Sequence, residues 1–145
     1  MFENEVSQWQ VQYLPIDVHD KIVLDVGAGE GETAKFFIDH GAKHVIAVEA
    51  DPACFENLKK NSQKHPITPL CVAFMPYQLD REFDFMKMDI EGYEEALLAL
   101  DLKVPAVVEL HGLQQIKKFQ DKGYFIVGNE YRYDCVSFAY WKCKQ

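Results

Sequence analysis

Apolar runs alternate with polar segments along most of this chain. The apolar runs are rich in Val, Ile and Phe, are typical of buried strands, and occupy residues 22–26, 44–48, 68–74, 83–88 and 104–110. The segments between them have helical composition, and they occupy residues 32–40, 52–64, 91–101 and 112–122. Strands that alternate with helices in this way predict an α/β domain built around a parallel sheet.

The C-terminal section has a different pattern. Two strand-like runs, residues 124–127 and 135–141, are separated by a short polar turn. Runs this close together predict an antiparallel hairpin at the edge of the sheet. The length of 145 residues, with 48% hydrophobic content, fits one compact domain. We expect a lead-in segment over residues 1–20 and a single domain over residues 21–145.

Composition narrows the cellular setting and the partners. No apolar run approaches the roughly 18 to 20 residues that a membrane helix needs, and the N-terminus lacks the features of a signal peptide. We therefore expect a cytoplasmic protein without a membrane partner. A net charge of -8 and a pI near 5.0 disfavour nucleic acid as a partner.

The four cysteines show no metal-binding pattern. Cys54, Cys71, Cys135 and Cys143 are scattered without a CxxC pair or a histidine at the spacing of a zinc ligand. This distribution favours buried thiols over disulfides or structural zinc.

A glycine-rich loop follows the first predicted strand. Gly27, Gly29 and Gly31 alternate with other residues after Asp25, and glycines allow a ligand to approach the backbone without meeting a Cβ atom. A tight strand-to-helix turn would have the same composition. The second strand favours a nucleotide site, because it ends in Glu49, where doubly wound folds place a carboxylate that accepts the ribose hydroxyls.

Two kinds of ligand fit this loop by pattern. Residues 29–34 match the G-x-G-x-x-A form of dinucleotide-binding loops. Asp25, Glu30 and Glu32 would, however, repel a pyrophosphate in a partly desolvated site. S-adenosylmethionine carries a sulfonium and an ammonium group and no phosphate, so an acidic loop favours it over a dinucleotide.

The fourth strand leads into a second acidic segment. Asp89 and Glu91 follow it at the edge of the sheet where α/β proteins bind ligands. Acidic residues also cap helices in any protein, so capping is an equally good interpretation of these two residues taken alone.

Four motifs together resemble a known superfamily. DVGAGEG at residues 25–31 and VEADP at residues 48–52 resemble the Rossmann-like S-adenosylmethionine-dependent methyltransferases, and KMDIEGYE at residues 87–94 with VVELH at residues 107–111 resembles their FkbM-type members. The resemblance implies a three-layer fold with a mostly parallel seven-stranded sheet in the order 3-2-1-4-5-7-6. It also implies methyl transfer to oxygen, here on a small hydroxylated molecule.

The resemblance further implies which residues bind the cofactor. Asp25 would anchor the methionine end through the loop, and Glu49 would hold the ribose. The full expected set is Asp25, Gly27, Ala28, Gly29, Gly31, Glu49, Ala50, Phe74 and Asp89. The chain departs from the pattern at residues 71–74, which lack the acidic residue that many methyltransferases aim at the adenine amino group. Aromatic packing by Phe74 would have to replace it.

His111 is the preferred catalytic base, because imidazole exchanges protons near neutral pH and a hydroxyl acceptor must lose one. Capping of the following helix is the alternative role for this histidine. Asp89 and Glu91 would orient the acceptor. They could also bind a metal ion, but with no third ligand identifiable we expect no metal site.

Two other functions stay open at this stage. The short chain lacks an acceptor domain, which fits a minimal cofactor-binding or regulatory module. The acceptor pocket would otherwise come from residues 1–20, from the turn at residues 129–134 or from another copy in a homo-oligomer. Methylation of RNA or protein would need basic residues at the crevice mouth, for which Arg81, Lys87 and Arg132 are the candidates.

Overall fold

The computed structural model describes residues 16–73, 82–90, 94–111, 113–128 and 136–142. The strands are β1 (Ile22–Val26), β2 (His44–Val48), β3 (Ile67–Leu70), β4 (Phe85–Met88), β5 (Ala106–His111), β6 (Phe125–Gly128) and β7 (Val136–Trp141). The α-helices are α1 (Glu32–Asp39), α2 (Pro52–Ser62) and α3 (Leu113–Lys122). A 3₁₀-helix spans Glu94–Ala99.

The strands form one seven-stranded sheet in the order β3-β2-β1-β4-β5-β7-β6. The first five strands along the chain run parallel to one another, whereas β7 runs antiparallel to both β5 and β6. The predicted strand order and the antiparallel C-terminal pair are both confirmed. Strand β6 lies at the edge, and β7 lies between it and the parallel part of the sheet.

Two apolar clusters give the fold its three layers. On one face of the sheet, Phe37 of α1 and Leu58 of α2 pack against strand residues such as Phe85. On the other face, Leu97 of the 3₁₀-helix and Phe119 of α3 pack against a second set of strand residues. The four central strands are therefore covered on both faces, which explains their nearly unbroken apolar sequences.

Sequence boundaries agree with the structure at several helix ends. The Asp51 side chain accepts a hydrogen bond from Ala53 N, and Pro52 opens α2, as expected for a capped helix start. Asp51 also accepts from the Cys54 thiol, and this hydrogen bond raises the pKa of Cys54. Gly41 and Gly123 have φ values of 96° and 113°, the left-handed conformation that ends a helix.

Two predicted elements differ from the structure. Strand β3 ends at Leu70, whereas the apolar run predicted a strand to residue 74. In the segment predicted as a helix over residues 91–101, the described part is a 3₁₀-helix. Its buried residues Glu94 and Leu97 are three positions apart, and Leu100 N donates to Leu97 O. Side chains three residues apart are eclipsed in a 3₁₀-helix, so Glu94 and Leu97 share the face that packs into the protein.

The remaining expectations are tested only in part. Val18 of the predicted lead-in is buried in the core, but residues 1–15 lie outside the described ranges. The structure's described helices include none with the length and apolar character of a membrane span. Cys54 and Cys71, the two cysteines within those ranges, are free thiols as expected, but the expectation of burial is wrong for both, since Cys54 is partly exposed and Cys71 is exposed.

Candidate functional site

The candidate site lies at the carboxyl ends of β1, β2, β4 and β5. From β1 the chain first adds β2 and β3 on one side of the sheet and then crosses to add β4 and β5 on the other side. The strand order therefore reverses between β1 and β4. Open α/β sheets bind ligands in the crevice at this point. The glycine loop after β1, Glu49 after β2, Asp89 after β4 and His111 at the end of β5 all converge there.

The glycine loop is held tightly against the strands beside it. Gly27 N and Ala28 N both donate hydrogen bonds to Val48 O. Gly27 has a φ of +80°, and a Cβ atom added to it would lie 1.9 Å from the carbonyl oxygen of Asp89. Any residue larger than glycine would collide with backbone at this position, so the loop packs directly against the end of β4.

Glu49 connects the glycine loop to the start of α2. Its Oε2 accepts a hydrogen bond of 2.8 Å from Gly29 N, and its Oε1 accepts one of 2.9 Å from Asp51 N. The predicted ribose carboxylate thus lies directly at the loop. Each carboxylate oxygen has two lone pairs, so both oxygens retain capacity for ligand hydroxyls.

Asp25 forms a buried ion pair that the sequence did not reveal. Its Oδ1 lies 2.9 Å from Lys87 Nζ on the neighbouring strand, in a geometry outside that of a regular hydrogen bond, and both side chains are almost fully buried. Asp25 Oδ2 accepts from Thr33 Oγ1 at 2.7 Å, and Lys87 Nζ donates to Gly27 O at 3.0 Å. The ion pair therefore holds the glycine loop in place through the hydrogen bond from Lys87 to Gly27.

This arrangement corrects the electrostatic argument for an acidic loop. The side chain of Asp25 has no solvent exposure, and Lys87 balances its charge. Glu30 is directed to α2, where its Oε1 accepts from Asn57 Nδ2 and its carbonyl accepts from Asn61 Nδ2. The carboxylate that contacts the loop is instead that of Glu49.

Asp89, Glu109 and His111 form a cluster beside the loop. One side-chain oxygen or nitrogen from each of the three lies within 4.8 Å of the others. His111 Nε2 is 4.0 Å from Asp89 Oδ1. Glu109 is 6% exposed, whereas the Asp89 and His111 side chains are 36% and 29% exposed. Asp89 and His111 leave the cluster partly exposed, and Glu109 adds a third group of a type that can ligate a metal ion, which the sequence analysis did not identify.

Glu94 holds the other nitrogen of His111. Its Oε1 lies 3.1 Å from His111 Nδ1, and its Oε2 accepts a hydrogen bond of 3.2 Å from Gln115 Nε2. Glu94 has no solvent exposure. A carboxylate acceptor at Nδ1 selects the tautomer with the proton on Nδ1, which leaves the Nε2 lone pair directed at the cluster. His111 N also donates to Gln115 Oε1, so Gln115 holds both residues.

The other predicted site residues divide into three groups. Ala28 is buried in the loop and Ala50 is exposed beside Glu49. Phe74 and Glu91 lie outside the described residues, as do Arg81 and Arg132. Lys87 does not contribute a basic surface at the crevice mouth, because it is 2% exposed and paired with Asp25.

Sequence comparison finds relatives among methyltransferases. A probable ribosomal RNA small subunit methyltransferase A of Methanospirillum hungatei is 30% identical over 101 residues, which cover 57% of this chain and 39% of that protein. A ribosomal protein L11 methyltransferase of Acinetobacter baumannii is 32% identical over 74 residues, covering 51% of this chain and 25% of that protein. The chain thus spans well under half the length of these curated relatives. No family model matches it.

Comparison with solved structures gives the class of fold. Fibrillarin of Aeropyrum pernix, whose crystal structure contains natively bound S-adenosyl-L-methionine, superposes with a TM-score of 0.73 at 17% identity. The match covers 94% of this chain and 73% of fibrillarin. The chain therefore has the Rossmann-like fold of S-adenosylmethionine-dependent methyltransferases.

Proposed function

We propose that this protein binds S-adenosylmethionine in the crevice above β1 and β4 and transfers its methyl group to an acceptor held beside Asp89 and His111. The observation that carries the proposal is the position of Glu49, whose carboxylate contacts Gly29 of the glycine loop. The fold and the methyltransferase relatives support the same cofactor.

The cofactor proposal follows from what the loop offers. Gly27 and Gly29 present backbone without Cβ atoms, Glu49 offers acceptor oxygens for ribose hydroxyls, and Asp89 approaches the loop through its own carbonyl. A pyrophosphate would meet the Glu49 and Asp89 carboxylates at this edge, whereas a sulfonium is attracted by them. We therefore keep S-adenosylmethionine over a dinucleotide.

In the proposed reaction, His111 is the base that accepts the proton of the acceptor hydroxyl. Methyl transfer is an in-line displacement at carbon, so positioning of donor and acceptor supplies most of the acceleration. A hydroxyl acceptor also loses a proton, and Nε2 of His111 is the nitrogen that Glu94 leaves free for it. Asp89, 4.0 Å from that nitrogen, would orient the acceptor hydroxyl.

For the acceptor we propose a small hydroxylated molecule. The motifs at residues 87–94 and 107–111 support an FkbM-type activity, and the carboxylates of Asp89 and Glu109 would repel the phosphates of RNA. RNA or protein is the second candidate, since the relatives named above act on ribosomal RNA and on a ribosomal protein. A cofactor-binding module without turnover is the third.

Calorimetric titration with S-adenosylmethionine and with NAD tests the cofactor. We expect binding of S-adenosylmethionine alone, and a folded protein that does not bind it would refute the proposal. Glu49→Gln should weaken binding by roughly 10-fold or more, because hydrogen bonds to a charged acceptor are lost. Glu56→Gln, an exposed carboxylate of α2, is the matched control and should leave the affinity unchanged.

Assays with methyl-labelled cofactor would then identify the acceptor class. Hydroxylated small molecules, ribosomal RNA and ribosomal protein are compared in parallel at equal concentrations. Repeated turnover on a small molecule supports the first candidate, and turnover on RNA or protein alone replaces it by the second. Tight cofactor binding with no turnover on any of them favours the binding module.

A further inference from the structure

We propose that Asp89, Glu109 and His111 form a binding site for a divalent cation of the first transition series. Asp89 directly follows β4, and Glu109 and His111 lie on the same face of β5. One ligand atom from each residue lies within 4.8 Å of the other two. The proposal concerns binding alone and does not depend on the proposed methyl transfer.

The backbone brings the three ligands together before any ion binds. The register of the parallel pair places Met88 beside Val108, so Asp89 and Glu109 are the next residues on adjacent strands. A cation with ligands about 2.1 Å away keeps neighbouring ligand atoms roughly 3 to 3.4 Å apart. His111 Nε2 and Asp89 Oδ1 are 4.0 Å apart, and Asp89 is partly exposed. This pair would have to close by about 0.6 to 1 Å, and a pair at the 4.8 Å limit by about 1.4 to 1.8 Å, which rotation of the side chains can provide.

A separate observation concerns Glu94, which is not one of the three ligands. Histidines that bind metal usually donate their second ring N–H to a carboxylate, which orients the ring and fixes the tautomer. Glu94 is fully buried and meets His111 Nδ1 at 3.1 Å, while Gln115 holds the second oxygen of Glu94. The arrangement directs Nε2 into the cluster, as a metal ligand requires.

Charge and donor chemistry indicate the type of ion. Asp25 already neutralises Lys87 on the neighbouring strand, and the carboxylates of Asp89, Glu94 and Glu109 are grouped around His111. Imidazole nitrogen favours Zn²⁺, Fe²⁺ and similar ions, and carboxylate oxygen favours Mg²⁺, Ca²⁺ and Mn²⁺. The mixed set points to Mn²⁺, Fe²⁺ or Zn²⁺ in preference to Ca²⁺.

Metal binding would change the role of His111. Nε2 cannot hold a cation and accept a proton at the same time, so the ion and the proposed base function exclude each other. The partly exposed cluster leaves coordination positions for water or for an acceptor oxygen, whose acidity a bound cation increases. Turnover of metal-free and metal-loaded protein should therefore differ, in either direction.

Direct binding tests the proposal without an activity assay. Chelator-treated protein is titrated with Mn²⁺, with free Mn²⁺ followed by electron paramagnetic resonance, and with Zn²⁺ and Ca²⁺ by calorimetry. We expect one Mn²⁺ or Zn²⁺ per chain and much weaker binding of Ca²⁺. Asp89→Asn and His111→Gln should each weaken Mn²⁺ binding at least tenfold, and Glu94→Gln about 10- to 100-fold.

Matched variants separate local from general effects. Glu95→Gln removes an exposed carboxylate of the 3₁₀-helix, and His65→Gln removes a histidine far along the chain from the cluster; neither should change the affinity. Each variant is also titrated with S-adenosylmethionine in metal-free buffer. Loss of Mn²⁺ binding in Glu94→Gln with unchanged cofactor binding supports the site, because Glu94 contacts His111 and has no assigned role in cofactor binding. Absent Mn²⁺ binding to the wild-type chain overturns the proposal. Binding that Asp89→Asn and His111→Gln leave intact places the ion elsewhere and equally overturns it.

Discussion

Lys87 Nζ lies 2.9 Å from Asp25 Oδ1 across two neighbouring central strands, with almost no solvent exposure of either side chain. The ammonium also donates to the carbonyl of Gly27, so this pair connects the sheet to the glycine loop. Asp25, the first residue of the DVGAGEG motif, is thus part of the framework that supports the glycine loop.

Lys87→Met should destabilise the protein strongly, because it leaves the Asp25 carboxylate buried without its counter-charge. We expect a loss of about 3 to 5 kcal/mol in the free energy of unfolding. The Asp25→Asn/Lys87→Met double variant should be more stable than Lys87→Met, since no charge then stays buried alone. Urea denaturation of the variants measures the effect.

An exposed pair in the same protein provides the control for this prediction. Lys35 and Asp39 form an ion pair on the surface of α1. Lys35→Met should change stability by less than about 1 kcal/mol. If Lys35→Met and Lys87→Met lowered the free energy of unfolding equally, burial would not explain the strong effect expected for Lys87→Met.

Gly27→Ala should disrupt the loop far more than Gly29→Ala. A Cβ atom at Gly27 would collide with the Asp89 carbonyl, whereas at Gly29 its nearest neighbour would be Glu32 Oε2 at 3.7 Å. We expect a cost of about 3 kcal/mol or more for Gly27→Ala and about 1 to 2 kcal/mol for Gly29→Ala, since both residues have positive φ. Thermal and urea unfolding would measure the stability of the two variants. Equal losses of stability would argue against the close contact between Gly27 and the Asp89 carbonyl.

Glu94→Gln should alter the tautomer of His111. Removal of the carboxylate weakens the preference for a proton on Nδ1, so the population with the proton on Nε2 should rise. Long-range ¹H–¹⁵N spectra of the histidine ring report this ratio directly. Glu95→Gln, at the adjacent exposed position, should leave the His111 spectrum as in the wild type. An unchanged spectrum in Glu94→Gln would remove the proposed positioning role.

Tyr124 should make the fold sensitive to alkaline pH. Burial raises the pKa of Tyr124 from 10.0 to about 12. The hydroxyl therefore ionises in the unfolded chain at lower pH than in the folded one, so its contribution to stability is intact below pH 10 and is lost as the pH rises towards 12. At pH 11 this loss amounts to about 1.4 kcal/mol.

Comparison with Tyr124→Phe isolates this effect from other groups that titrate at high pH. The difference in unfolding free energy between wild type and variant is measured in urea at pH 8 and at pH 11. It should shift by about 1.4 kcal/mol in favour of the variant at the higher pH. A difference that is independent of pH would contradict the prediction.

Sequence reasoning located the elements and most of the converging residues. The predicted apolar runs are followed by Gly27, Glu49, Asp89 and His111. These runs are sufficient to predict that the four residues lie close together, because parallel strands place their carboxyl ends at one edge of the sheet. The resemblance supplied the strand order, which the structure confirms. Periodicity alone could not place β7 beside β5, because pairing of distant strands leaves no local pattern.

Glu94 and Lys87 show where that reasoning was incomplete. Glu94 belongs to an acidic stretch whose composition is typical of the exposed start of a helix. It is nevertheless buried, and it lies three residues before the buried Leu97. Lys87 lies between Met86 and Met88 in a strand buried on both faces, a position that requires a partner carboxylate. Interpreting Lys87 as a surface charge ignored this requirement, and Asp25 on the next strand could have been inferred from it.

The position of β7 has a consequence for the order of assembly. Edge strand β6 pairs with β7 and not with the parallel strands, although β6 precedes β7 in the sequence. Strand β6 therefore has no docking edge until the residues up to Trp141 are available to pair with β5. During synthesis, the edge of β5 would stay open to pairing with other chains until the residues of β7 have been made.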